Sequence, residues 1–154
     1  MMAEVTGSCL CRGVAFRITG PMEKPLNCHC TNCRKQHGAA FRSRIRVHED
    51  HFEWLKGEEL IKFYESSPGF RRGFCSNCGT PVVNRPGGPG YKRFALNPNA
   101  ASELGIPMGI LDGEPDIEPK MHVFVEDKAP WFEITDDLTQ HETLPKSFDP
   151  EDFA

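Results

Sequence analysis

Seven cysteines fall in three groups: Cys9-Leu10-Cys11, Cys28-His29-Cys30-Thr31-Asn32-Cys33 and Cys75-Ser76-Asn77-Cys78-Gly79. Seven is odd, so they cannot all be paired in disulfides. Met1 to Cys11 shows no basic start followed by an apolar run, so no secretory signal is expected. Both points favour a reducing, cytoplasmic setting, where clustered cysteines are more often metal ligands. The third group has the form of a zinc knuckle. Two intervening residues let both thiolates reach one tetrahedral ion at about 2.3 Å, and Gly79 relieves the tight turn.

A knuckle supplies two ligands, and two more must come from elsewhere. The middle group packs three sulfurs into six residues, so Cys28, Cys30 and Cys33 can converge on one ion. That leaves Cys9, Cys11, Cys75 and Cys78 for a closed four-thiolate site, which is structural because no position remains for substrate. Three protein ligands plus an open position is the composition of a catalytic zinc. Two zinc ions per chain are therefore expected. Other readings stay open: His29 or His37 as a fourth ligand, one zinc with three spare thiols, or Cys30 and Cys33 as a C-x-x-C redox couple.

The elements that must hold these groups are short. The 154 residues include 14 Gly and 13 Pro, a share that signals many turns. Strands are expected at Val14–Thr19, Ala40–His48, Leu60–Tyr64, Gly73–Val83 (interrupted by the knuckle), Lys92–Leu96, Met121–Val125 and around Trp131–Ile134. In Ala40–His48, Phe41, Ser43, Ile45 and Val47 alternate with Arg42, Arg44 and Arg46, the period of a half-exposed strand. Thr31–Gly38 is the best helix candidate. The stretches Arg85–Gly90 and Pro107–Pro119 read as loops. One mainly β, zinc-binding domain is expected over residues 1–154, with a core at about 6–134 and a C-terminal arm at 135–154.

Charge narrows the partners. Residues 1–77 carry 12 Lys/Arg against 8 Asp/Glu (+4), and residues 78–154 carry 6 against 14 (−8). The acidic half argues against a sequence-independent nucleic-acid binder but leaves room for a local anion site in the basic half. No apolar run reaches the 18 or so residues of a membrane helix.

In order and content, Gly7-Ser8-Cys9-Leu10-Cys11, Cys28-His29-Cys30-Thr31-Asn32-Cys33-Arg34-Lys35 and Phe74-Cys75-Ser76-Asn77-Cys78-Gly79-Thr80 resemble the glutathione-dependent formaldehyde-activating enzyme family, which includes centromere protein V. The resemblance continues through Trp54 to Tyr64, Gly109-Ile110-Leu111-Asp112 and Pro119 to Trp131. It implies a fold of several coiled antiparallel β-sheets, shared with a small zinc-binding chaperone of Rab GTPases. It also implies the four-plus-three metal partition, with Cys28, Cys30 and Cys33 at the active centre. The activity implied is that of a carbon–sulfur lyase joining formaldehyde to the glutathione thiol, so the expected partners are a small-molecule thiol and aldehyde. Arg12 stands where many relatives have Gly, and the chain is short beside the namesake enzyme.

For such chemistry the metal would deprotonate a bound thiol or polarise the aldehyde oxygen. His29 and His37 are the proton-relay candidates, each with an ordinary packing role as the alternative. Arg34 and Lys35 flank the cluster and could clamp the substrate's carboxylates. The strand arginines could do the same, but are expected chiefly as a solvated basic face balancing the acidic half. Trp54 and Trp131 are expected in the core or at its rim. A non-catalytic zinc-stabilised binding module is the alternative function.

Overall fold

Period-two alternation sends successive side chains of each strand to opposite faces of its sheet. The computed structural model describes residues 4–148 and 150–153. Its strands are β1 (Val5–Ser8), β2 (Ala15–Ile18), β3 (Glu23–Cys28), β4 (Arg42–His48), β5 (Phe52–Lys56), β6 (Ile61–Ser67), β7 (Phe70–Cys75), β8 (Pro81–Arg85), β9 (Glu103–Pro107), β10 (Met121–Val123) and β11 (Thr139–Gln140). One α-helix, α1 (Thr31–His37), follows β3, and short 3-10 turns fill several connections.

Two sheets result: three strands in the order β1-β2-β5, and eight in the order β11-β10-β3-β4-β9-β8-β7-β6. The mainly β expectation holds, but the large sheet is mixed. β10 runs parallel to both β3 and β11, and the other pairs are antiparallel. A parallel neighbour cannot be reached by a tight hairpin, and the long connection after β9 supplies the crossover.

The main core lies on one face of the large sheet. Ile45 and Val47 of β4, Leu104 and Ile106 of β9, and Val82 and Val83 of β8 meet Phe16 and Ile18 of β2 there. A second apolar cluster forms on the other face from Leu26, Cys28, Cys33, Met121 and Val123. Leu144, Phe148 and Phe153, from the C-terminal residues, pack against it. The large sheet is thus covered on both faces in its middle, which the sequence pattern of β4 does not announce.

Several expected elements shift. Lys92–Leu96 is irregular chain and turn, closed by Asn97 N–H donating to the Arg93 carbonyl. Trp131–Ile134 forms no strand either: Pro130 precedes it and Phe132 N–H turns back to the Ala129 carbonyl. The strand pair that the resemblance implies over Trp54 to Tyr64 corresponds to β5 and β6, whereas β1, β3, β9 and β11 are additions to the expected strands. Pro25 is accommodated at the register shift of β3, and Pro107, expected to open a loop, ends β9. The helix is found where expected, capped at its end by Gly38 at φ +57°.

Candidate metal centres and active cavity

The four-cysteine group assembles from two tight turns. Cys9 N–H bonds to the Val14 carbonyl, and Gly79 N–H to the Cys75 carbonyl, with Gly79 at φ +78°. Backbone N–H groups of Val14 and Gly13 point at the sulfurs of Cys9 and Cys11, at 3.3 and 3.4 Å. The Sγ atoms of Cys9, Cys11, Cys75 and Cys78 all lie within 4.8 Å of one another. Cys9–Cys11 and Cys11–Cys75 are 3.5 and 3.9 Å apart. A tetrahedral ion with 2.3 Å bonds separates its sulfurs by about 3.8 Å, so the donor set fits zinc in both chemistry and spacing. Burial pushes the Cys9 thiol up to about 11. At Cys78 burial opposes ionisation, but Thr80's hydroxyl and backbone donors bring the thiol down to about 5.

The three-cysteine group joins a strand end to a helix start. Cys28 ends β3, Cys30 caps α1 with its sulfur accepting from Cys33 N–H at 3.3 Å, and Cys33 sits in the first turn. Their sulfurs also lie within 4.8 Å of one another, and no fourth His, Cys, Asp or Glu joins them among the described residues. Hydrogen-bond sharing with Cys30 and Cys33, then burial, pushes Cys28 up; the same sharing pulls Cys33 well down, helped by Arg42 and Arg72. Three thiols that cannot all hold their protons comfortably form a cluster suited to a cation.

This cluster opens into a cavity of about 310 Å³. The cavity's chemistry comes from the face of β4 expected to be solvated. Arg42, Arg44 and Arg46 are only 3%, 5% and 8% exposed, and all three line the cavity. The expectation fails because alternation separates two faces without saying what each one meets. Register explains the rest. Arg42 lies opposite Cys28 on β3, and Arg46 opposite both Glu23 and Gly105. Across β9 and β8 the row continues through Asn84 to Arg72. Arg72 Nη1 reaches Cys33 Sγ at 3.6 Å, and Lys24 and Arg93 complete the basic lining. Burial lowers Arg42 to about 10, leaving it charged at neutral pH. Burial, then Arg46 and Arg42, push Arg44 well down.

The flanking residues singled out by proximity lie elsewhere. Lys35 is exposed and Arg34 half-buried, and neither lines the cavity. His29 is fully buried on the opposite face of the sheet, its Nε2 2.8 Å from His122 Nδ1. His122 Nε2 in turn meets the Asp136 carboxylate at 3.0 Å. Burial, then His122, lowers His29 to about 4, so it is neutral and packs among Phe41, Phe132 and His122. His37, lowered to about 4 chiefly by burial, also lies off the cavity lining. Trp54 packs on the main core, whereas Trp131 is 74% exposed. Sequence reasoning missed Arg72, which reaches Cys33 Sγ from β7, and the pair His122 and Asp136, of which His122 meets His29 between the cysteines.

The sequence profile described as glutathione-dependent formaldehyde-activating enzyme matches residues 4–127. The chain belongs to that family. No curated protein matches the chain. The crystal structure of a Rhodobacter sphaeroides protein is similar, with a TM-score of 0.54 at 18% identity over 74% of this chain and 97% of that one. At that identity the likeness speaks for the fold. The residues after 127 lie outside the family match and supply Asp136 and two apolar residues of the cavity wall, Leu144 and Phe148.

Proposed function

We propose that this member of the glutathione-dependent formaldehyde-activating family is a zinc-dependent carbon–sulfur lyase-type enzyme, adding a thiol to a small aldehyde such as formaldehyde or reversing that addition. The observation that carries the reading is the three-cysteine cluster lining a cavity, with no fourth protein ligand among the described residues. Cys28, Cys30 and Cys33 would hold the reactive zinc, and Cys9, Cys11, Cys75 and Cys78 the structural one. Bound zinc supplies thiol deprotonation or carbonyl polarisation. The chain's own part is to hold three thiolates in place and exclude bulk water with Phe70, Phe124, Leu144 and Phe148. Its basic lining keeps anionic substrates in reach.

The reaction balances without a consumed cofactor. One S–C bond forms, the C=O π bond breaks, and the thiol's proton ends on the aldehyde oxygen. Neither His29 nor His37 lines the cavity, so this reading assigns the proton to neither.

The test starts from protein purified under reducing conditions. Zinc per chain should be near two, and should fall to one after mild chelation while the far-ultraviolet circular dichroism persists. Thiol plus formaldehyde should then give a hydroxymethyl adduct, followed by NMR, with the two-zinc protein and not with the one-zinc protein. Two ions that leave only as the protein unfolds, or equal rates with both forms, would sink the open-site reading.

A further inference from the structure

Three guanidinium groups buried on one strand face demand an explanation, because a buried charge without a partner is costly. Arg44 Nη1 donates to the Lys24 carbonyl at 2.8 Å. Arg42 Nε and Nη2 and Arg46 Nη1 are buried and find no hydrogen-bond partner among the described residues. Arg42 Nη2 and Arg46 Nη1 converge on the same spot over Gly105, where a Cβ would lie 3.2 and 2.4 Å from them. Gly105 thus leaves the space in which the two cations meet.

Glu103 favours the charge of Arg46, yet among the described residues no anionic group hydrogen-bonds Arg42 Nε and Nη2 or Arg46 Nη1. Glu103 is held by Lys24 Nζ at 3.2 Å and Asn97 Nδ2 at 3.1 Å. Three thiolates around a divalent ion leave one negative charge, and Arg72 already contacts that cluster. Asp127 is the sole carboxylate lining the cavity among the described residues, against Lys24, four buried arginines and Arg93. Backbone strain gathers here too. Lys24 and Phe124, at φ +52° and +56°, are two of the three non-glycine residues in the left-handed region among the described residues, and both line the cavity.

We propose that the arginine face of β4 is an oxyanion-binding subsite for a compact tetrahedral group of the phosphate, phosphonate or sulfonate type. That this group belongs to the molecule bearing the reacting thiol or aldehyde rests on the function proposed above; the subsite itself does not. Glutathione fits this lining poorly, since its ammonium would enter a wall of cations. The cavity also lies at the small end for ligand sites, about 300–1,000 Å³. Arg46 stands four residues, roughly 13 Å, along β4 from the Cys28–Arg42 pair. A small molecule can therefore engage guanidiniums at one end and the cysteine cluster at the other.

The test is thermal unfolding of the full zinc-loaded chain at constant ionic strength, with chloride, inorganic phosphate, 2-mercaptoethanesulfonate or glutathione. Near saturation, phosphate and the sulfonate thiol should each raise Tm over chloride by about 5–10 °C. Glutathione should raise it less. Arg46→Met should lose the phosphate shift while its ligand-free Tm stays near that of the parent, because it removes a buried charge that Glu103 only partly offsets. Arg46→Lys should keep part of the shift. No shift in the parent, an equal shift in Arg46→Met, or a larger shift with glutathione would each overturn the subsite. An oxyanion shift without any thiol–formaldehyde adduct keeps the subsite and removes the reaction. Adduct formation without the shift does the reverse.

Discussion

At the scale of single residues, the two cysteine groups should respond differently to the same substitution. Cys33→Ser removes one ligand of an open site. It should lower zinc from about two to about one per chain and abolish adduct formation, leaving a cooperative unfolding transition. Cys75→Ser breaks the closed set, whose binding energy is folding energy, and should cost several kcal/mol or prevent folding. Metal analysis paired with chemical denaturation distinguishes the two. Arg12 offers a smaller test. It sits at φ +63°, and a side chain there costs about 1–2 kcal/mol. Part of that is offset because Gly loses more entropy on folding, so Arg12→Gly should stabilise by about 0.5 kcal/mol, read from the denaturation midpoint. His122→Phe should do the opposite. It strands His29 Nε2, already beside an unpartnered Nδ1, and should cost about 1–3 kcal/mol.

At the scale of elements, β4 and β9 act as one device. Alternation on β4 sends Ile45 and Val47 to the main core and Arg42, Arg44 and Arg46 to the cavity. The facing Gly105 on β9 leaves room for the guanidiniums. Gly105→Ala places a methyl against the far end of a flexible arginine, so the strand pairing should survive at a cost of about 1 kcal/mol or less. Arg46 would be displaced, and the phosphate-induced Tm shift should shrink severalfold. An unchanged shift would mean that the two guanidiniums need not converge there. β3 matters as much: its register shift around Lys24 and Pro25 turns Lys24 inward and brings Cys28 opposite Arg42. The helix adds little burial of its own, with Cys33 its one buried residue; its work is to fix Cys30 and Cys33 in one turn.

At the scale of the whole molecule, the C-terminal residues cover what the middle of the chain builds. Leu144, Phe148 and Phe153 pack on the cluster containing Cys28 and Cys33, and Lys24 lies over the Phe148 ring at 5.5 Å. Removing residues 139–154 should speed zinc release from the three-cysteine site to a colorimetric chelator at least several-fold, while the four-cysteine site releases at its parent rate. Equal acceleration of both would mean that the segment supports the fold at large. By itself the sequence determined the cysteine partition, the helix between Cys30 and Gly38, and the mainly β character. Those follow from local chemistry: ligand spacing, a cap, and period two. It could not decide which side of β4 meets solvent, because alternation is the same whether the polar face is wet or enclosed. Only the tertiary structure settled that, by laying β3, β9 and the C-terminal residues around the arginines. In the same way it leaves Arg34 and Lys35, near the cysteines in sequence, off the cavity lining and brings Arg42 and Arg72 to them in space. Sequence neighbours on a short helix diverge around its axis, whereas residues paired across a sheet share one face.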